Sequence, residues 1–84
     1  MFFLKKEVKI MIVSTTDSIA GKKVVQTLGA IDARCSMFVR NEAESAQKNL
    51  EKKAEQMGAN AVIGYRIEKI SGVAHAIGTA VIIE

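Results

Sequence analysis

Two sulfur-containing side chains are the first residues in this sequence that suggest metal chemistry. Cys35 and Met37 are spaced i, i+2, so in a strand they would point to one face. Sulfur ligands at that spacing suit Cu(I) or another soft metal ion. The alternative is that both belong to the core. They continue the apolar register of Ile31, Ala33 and Val39, and free cysteine is among the most buried residue types.

His75 is the only histidine and the second candidate metal ligand. One imidazole per chain does not complete a typical zinc site, so carboxylates, Cys35 or a neighbouring subunit must add ligands. Glu68 and His75 would form half of an intersubunit site, or else a structural pair on the sheet. The metal candidates are therefore Cys35, His75 and Glu68, the cofactor is unknown, and a metal ion is the cofactor these residues would suit.

Catalytic patterns are missing from the sequence. No CxxC or HxxxH spacing occurs, and nothing in the spacing brings Cys35 beside His75 as nucleophile and base. The hydroxyl-rich residues 14–18 would bind an anion or satisfy the polar groups of their own turn, and we favour the turn. We therefore assign no catalytic residue and expect a protein that is not an enzyme.

Length and composition limit the architecture that can position these side chains. Eighty-four residues allow one domain, residues 1–84. Domains this small usually need a disulfide, a metal or a partner, and a single cysteine excludes an intrachain disulfide. With 49% hydrophobic and 25% charged residues, the chain is not of the disordered class.

The charge pattern argues against nucleic-acid and membrane partners. The net charge is +3, with no run of five like charges and few aromatic residues for base stacking. The apolar residues 2–4 are too short for a signal peptide, and no stretch approaches a membrane span. Together with the unpaired cysteine, this predicts a cytoplasmic protein that binds no nucleic acid and no membrane.

One helix is predicted from about Glu42 to Met57. Asn41 is its N-cap, Glu44 completes a capping box and Gly58 is the left-handed residue at its end. Apolar residues spaced three or four apart form a narrow, alanine-rich stripe that suits packing on a flat sheet. The stripe consists of Ala43, Ala46, Leu50, Ala54 and Met57.

The other segments are predicted as strands, in the order β-β-α-β-β. A first strand covers residues 9–14, and a second runs from Val24 through the alternating residues 31–40, with a bulge or bend at Gly29. After the helix, two strands form a hairpin around Ser71-Gly72. The fold class is therefore α+β, an antiparallel sheet of about four strands with one helix packed on one face.

The hairpin turn fixes a register between the last two strands, residues 61–70 and 73–83. Four pairs should face each other: Ile70 with Val73, Glu68 with His75, Arg66 with Ile77, and Tyr65 with Gly78. In this register both faces of the sheet are substantially apolar. A helix about 10–12 Å wide covers roughly half of one face of a sheet about 19 Å wide. The uncovered surface predicts a homo-oligomer.

Several segments together resemble the YbjQ-like family, labelled putative heavy-metal-binding. They are Ile12-Val13-Ser14-Thr15-Thr16-Asp17 with Gly21, Val25 to Gly29, Gly58-Ala59-Asn60-Ala61-Val62-Ile63-Gly64-Tyr65-Arg66, and Gly78-Thr79-Ala80-Val81-Ile82. The resemblance covers about Ile10 to the end of the chain. It implies a subunit related to those of dodecins and a ring, with five subunits.

Two functions remain open at this point. The first is a ring that binds a metal ion or small ligand at its subunit interfaces. The second is a non-catalytic structural or protein-interaction module. An enzyme with an intersubunit site at His75 and Glu68 ranks below both.

Overall fold

The computed structural model describes residues 11–84, and these form one helix and four strands in the predicted β-β-α-β-β order. The elements are β1 (Ile12–Val13), β2 (Val24–Arg34), α1 (Glu42–Gln56), β3 (Ala61–Ile70) and β4 (Val73–Ile83). The α+β class is confirmed. The first two residues of the predicted first strand lie outside the described range.

The sheet is mixed, which corrects the expectation of an antiparallel sheet. Its strand order is β1-β3-β4-β2. β4 is antiparallel to both β2 and β3, but β1 is parallel to β3. Strands next to each other in sequence usually pair. Here β1 and β2 lie at opposite edges of the sheet, so β1 pairs with a strand that comes after the helix.

The helix begins and ends as its sequence predicts. The Asn41 side chain accepts a hydrogen bond from the Glu44 backbone N–H at 3.0 Å, and Gly58 has φ +89°. Glu44 and Lys48 form an i, i+4 ion pair at 3.1 Å. The buried part of the stripe is its centre, Ala46, Leu50 and Ala54. These side chains pack the helix on one face of the sheet.

β2 ends at Arg34, so the prediction that it continues to residue 40 is wrong. The Ser36 backbone N–H donates to Ser45 Oγ at 2.8 Å, and Asn49 Nδ2 donates to the Arg34 carbonyl oxygen at 3.0 Å. These bonds tie the chain to α1. The next residues turn, with Phe38 at φ +61°, and their apolar side chains are left in solvent.

A bulge in β3 changes part of the predicted hairpin register. The pairs at Ile70, Glu68 and Arg66 are confirmed. Nearer the start of β3, Gly64 and Tyr65 together lie opposite Gly78, instead of Tyr65 alone. Because a bulge adds one residue, every side chain before it changes face.

The corrected register separates two apolar clusters. The helix face holds Val62, Ala76 and Ala80 against the α1 stripe. The opposite face, which we call the helix-free face, holds Ala61 and Val81 in a smaller cluster near Ile19 and Val24. Continuing the predicted hairpin register without a bulge would put Val62 on the face of Val81 and Ala61 on the face of Ala80, and the bulge reverses both assignments. No helix in residues 11–84 is long and apolar enough to span a bilayer.

Candidate functional site

The candidate metal ligands are divided between the two faces of the sheet. Cys35 follows β2, its backbone N–H donates to the Ala74 carbonyl at 3.0 Å, and its side chain packs against the helix-side core. His75 is on the helix-free face, in register with Arg34 and Glu68. The sheet therefore separates the thiol from the imidazole, and the two do not form a nucleophile–base pair.

Met37 does not share a face with Cys35. It lies in the turn after β2, and its side chain is 78% exposed. The prediction of two sulfur ligands on one strand face is wrong because the strand ends first. The free Cys35 thiol instead borders a cleft of about 350 Å³. The cleft is lined by Arg34, Cys35, Ser36, Met37, Phe38, Glu42 and Val73.

His75 is paired with a carboxylate that the sequence did not single out. Its Nδ1 lies 3.7 Å from Asp32 Oδ2. That separation is too long for a hydrogen bond, and Nδ1 is buried without a hydrogen-bond partner among the described residues. Asp32 is on β2, opposite Ile77 and one rung away from His75. The β2–β4 register was needed to find it, and no turn in the sequence reveals that register.

Glu68 lies opposite His75, as the hairpin register predicts, but its carboxylate is bound elsewhere. Arg66 Nε donates to Glu68 Oε2, and both side chains are about half exposed. The two residues are spaced i, i+2 on β3, so they share the helix-free face. Glu68 must leave Arg66 before it could serve as a ligand beside His75.

These donors fit only part of a metal site within one subunit. No group of three His, Cys, Asp or Glu side chains in residues 11–84 could hold a metal ion. A structural zinc site takes four ligands, and Cys35 cannot join His75 and Asp32 from the other face. An aspartate facing Nδ1 leaves Nε2 as the metal-binding nitrogen, as in carboxylate–histidine–metal sites. One subunit thus offers one nitrogen ligand, His75 Nε2, with a carboxylate facing the other ring nitrogen.

The hydroxyl-rich loop closes on itself, as favoured from the sequence. Thr16 Oγ1 donates to the Ser18 carbonyl at 2.6 Å, and the Thr16 backbone N–H donates to Ser14 Oγ at 3.2 Å. The Gly64 N–H also donates to the Thr16 carbonyl at 2.8 Å. The hydroxyl groups of Ser14 and Thr16 are therefore used within the loop, and the Thr16 carbonyl holds the loop against β3.

Both edges of the sheet have unpaired stretches among the described residues. β2 is an edge strand of 11 residues. At the other edge, among residues 11–84, β1 pairs only with the start of β3, so residues 66–70 of β3 pair with β4 on one side and with no strand on the other. All five of these residues are exposed, including Ile67 and Ile70. Open edges of this kind pair readily with another chain.

A family model and a homologous protein both match this chain. The family described as "Putative heavy-metal-binding" (YbjQ) matches residues 36–84. A UPF0145 protein of Methanocaldococcus jannaschii is 39% identical over 89 residues, which is 89% of this chain and 94% of that protein.

A solved structure shares the fold. It is a protein of unknown function from the DUF74 family of Pediococcus pentosaceus, with a TM-score of 0.56 and 25% identity. The match covers 88% of this chain and 98% of that one.

Proposed function

From the premise that this chain belongs to the YbjQ family described as putative heavy-metal-binding, we propose a non-enzymatic binding ring. Five copies assemble in the cytoplasm and bind a heavy-metal ion or a small ligand at their interfaces. The observation that carries the proposal is the pair of open edges on one small sheet. The single free thiol is in keeping with a reducing compartment.

The two open edges are different surfaces, and this supports a ring. β2 of one subunit can add to residues 66–70 of β3 in the next, leaving that subunit's β2 free for a third. Such a head-to-tail contact repeats until the rotation closes a ring. Closure removes both edges, and with them the risk of unlimited pairing.

Edge pairing also supports a metal site between subunits. Asp32 is on β2 and Glu68 on β3, so pairing brings one subunit's Asp32 strand beside the next subunit's Glu68 strand. The neighbour's Glu68, once released from Arg66, would then supply an oxygen ligand beside His75. Imidazole and carboxylate donors suit zinc and similar divalent ions more than soft ions.

Native mass spectrometry on protein purified without chelators tests both the ring and its bound metal ion or ligand. We expect a discrete multimer whose mass exceeds that of its chains by a metal ion or small molecule. A clean monomer at micromolar concentration would overturn the ring.

Two variants then locate the metal. We expect His75→Gln to lose the binding of added Zn²⁺, measured by calorimetric titration, because it removes the only imidazole. Cys35→Ser is the matched control, since its side chain is on the helix face. Zinc binding lost in Cys35→Ser and kept in His75→Gln would contradict the placement.

A structural or protein-interaction module is the second candidate. It is favoured by the absence of a three-ligand group in residues 11–84 and by the separation of Cys35 from His75. A discrete multimer without extra mass, and without Zn²⁺ uptake, would support this module over the binding ring.

A further inference from the structure

Four charged residues stand at the corners of a rectangle on the helix-free face. One rung of the sheet reads Arg34, His75, Glu68 across β2, β4 and β3, and the next reads Asp32, Ile77, Arg66. The rungs are two residues apart, about 7 Å, and the outer strands are about 10 Å apart. Positive and negative corners alternate around the rectangle. We call these four residues, Arg34, Glu68, Arg66 and Asp32, the charge rectangle.

A rectangle of alternating charges is complementary to a copy of itself. If a second copy is turned over about an axis along the strands, each β2 lies above the other copy's β3. Arg34 then meets Glu68, and Asp32 meets Arg66. If it is turned over about an axis across the strands, Arg34 meets Asp32 and Glu68 meets Arg66. Opposite charges meet at all four corners in both cases.

We propose that the helix-free face docks against the same face of a second copy of this chain. The surface has the layout of a protein interface, with an apolar centre and a polar rim. His75 and Ile77 on β4, both half-buried, lie between the charged strands, and the apolar pair Val73 and Ile70 continues the surface toward the turn, with Ile70 46% exposed. Sheets that pack face to face keep their strands nearly aligned, which both orientations satisfy.

The rest of the helix-free face is not available to the second copy. Near the start of β3, Ala61, Val81 and Ile83 are buried beneath Ile19 and Val24 of the same chain. Ile77, at the hairpin end, belongs to neither buried cluster of residues 11–84, and its neighbours across the sheet are Asp32 and Arg66. Docking is therefore confined to the half of the face that carries the charges.

This contact rests on the proposed function, because it joins two rings of edge-paired subunits through the face that also carries His75 and Asp32 of the proposed metal site. It adds a twofold relation to a head-to-tail ring. The number of subunits becomes even, ten for rings of five.

A single charge reversal tests the contact. In either orientation Arg66→Glu converts two of the four corner contacts into like-charge pairs. We expect the constant for dissociation into single rings to rise at least about tenfold, measured by sedimentation velocity. Lys48→Glu is the matched control, because it makes the same charge change on the exposed side of α1. Far-UV circular dichroism of both variants checks that the subunit still folds.

Two charge-swapped variants resolve the orientation. Arg66→Glu with Glu68→Arg reverses β3, and Asp32→Arg with Arg34→Asp reverses β2, without change in net charge. Pre-formed rings of the two, one isotope-labelled, are mixed and weighed by native mass spectrometry. Pairing only between different variants indicates the axis along the strands, and pairing only within each variant indicates the axis across them.

Other outcomes overturn the proposal. Statistical mixing of the swapped rings, or a wild-type mass unchanged by Arg66→Glu, would show that the charge rectangle does not mediate docking. A wild-type protein that is a single ring with an odd number of subunits would exclude the face contact and leave the proposed ring intact. A wild-type monomer would exclude both.

Discussion

The two faces of the sheet differ in what covers them. On the helix face, Leu50 and Val62 are fully buried, and the alanines of α1 and β4 let the helix lie close to the strands. That face is covered by its own chain. On the helix-free face, the described chain covers only the end near Ile19, and the hairpin end carries the charge rectangle around Ile77.

Because of this difference, the helix face serves mainly the stability of the subunit and the helix-free face serves mainly association. Burial of apolar surface stabilises folding on the helix face, at about 25 cal/mol per Å². The helix-free face mixes apolar and charged side chains, which gives specific association more than it gives stability. Substitutions on the helix face should therefore change the free energy of unfolding, and those on the hairpin end of the helix-free face should change assembly.

The largest effect is expected for Leu50→Ala. Leu50 is 0% exposed at the centre of the helix-side cluster, so its removal leaves a cavity. We expect the free energy of unfolding to fall by about 2–5 kcal/mol, measured by urea denaturation. Met57→Ala, at the partly exposed end of the same helix, is the control and should cost less than about 1 kcal/mol. Equal losses in the two variants would contradict the central role of this face.

A second substitution, Ile77→Lys, is expected to weaken assembly and to leave the stability of the subunit nearly unchanged. Ile77 is half-buried in the apolar centre of the helix-free face, and a lysine there places an unpaired charge in the proposed contact. In a separated subunit the lysine stem can lie along the sheet with its amine in water. We expect loss of the face contact in sedimentation velocity, with a change under about 1 kcal/mol in the unfolding of the subunit.

Ile67→Lys provides the comparison for that experiment. Ile67 is on the same hairpin but pairs with Ala76 on the helix face, and it is 36% exposed. The same new charge should leave the face contact in place. Dissociation by both variants would show that added charge, and not its position, disrupts the assembly.

The helix and the hairpin turn could be predicted because their signals are local. Asn41 and Gly58 mark the helix ends within one turn of the residues they cap, and Ser71-Gly72 sets the pairing of Glu68 with His75. Such signals depend on backbone groups a few residues apart. The pairing of Glu68 with His75 in the candidate site could therefore be predicted.

The remaining features depend on contacts distant in sequence. The bulge at Gly64 arises where β3 must pass Gly78 and also bond to the loop at Thr16. The end of β2 coincides with a hydrogen bond from Asn49 on the helix to the Arg34 carbonyl oxygen. Asp32 could not be chosen as the neighbour of His75 because β2 and β4 are joined by no turn. Alternation along one strand does not contain this information.

The smallest expected effect is the alkaline stability of the helix face. Burial, and secondarily the negative charge of Glu51, raise the pKa of Tyr65 above its ordinary value of 10.0. The folded protein therefore holds the phenol proton more tightly than the unfolded chain does. This contribution to stability is complete below about pH 10 and is lost as the pH rises through the folded-state pKa.

Tyr65→Phe should remove that part of the pH dependence, and the difference in Tm between wild type and variant isolates it from the lysines that titrate in the same range. We expect the two Tm values to differ by a constant amount up to about pH 9, and the wild type to lose stability relative to the variant at higher pH. Glu51→Gln should make that loss smaller, since burial alone then raises the folded-state pKa above 10.0. Because Tyr65 packs on the helix face, the assembly state measured at pH 7 should be the same in all three proteins. A change in subunit number in Tyr65→Phe would mean that the two faces do not act separately.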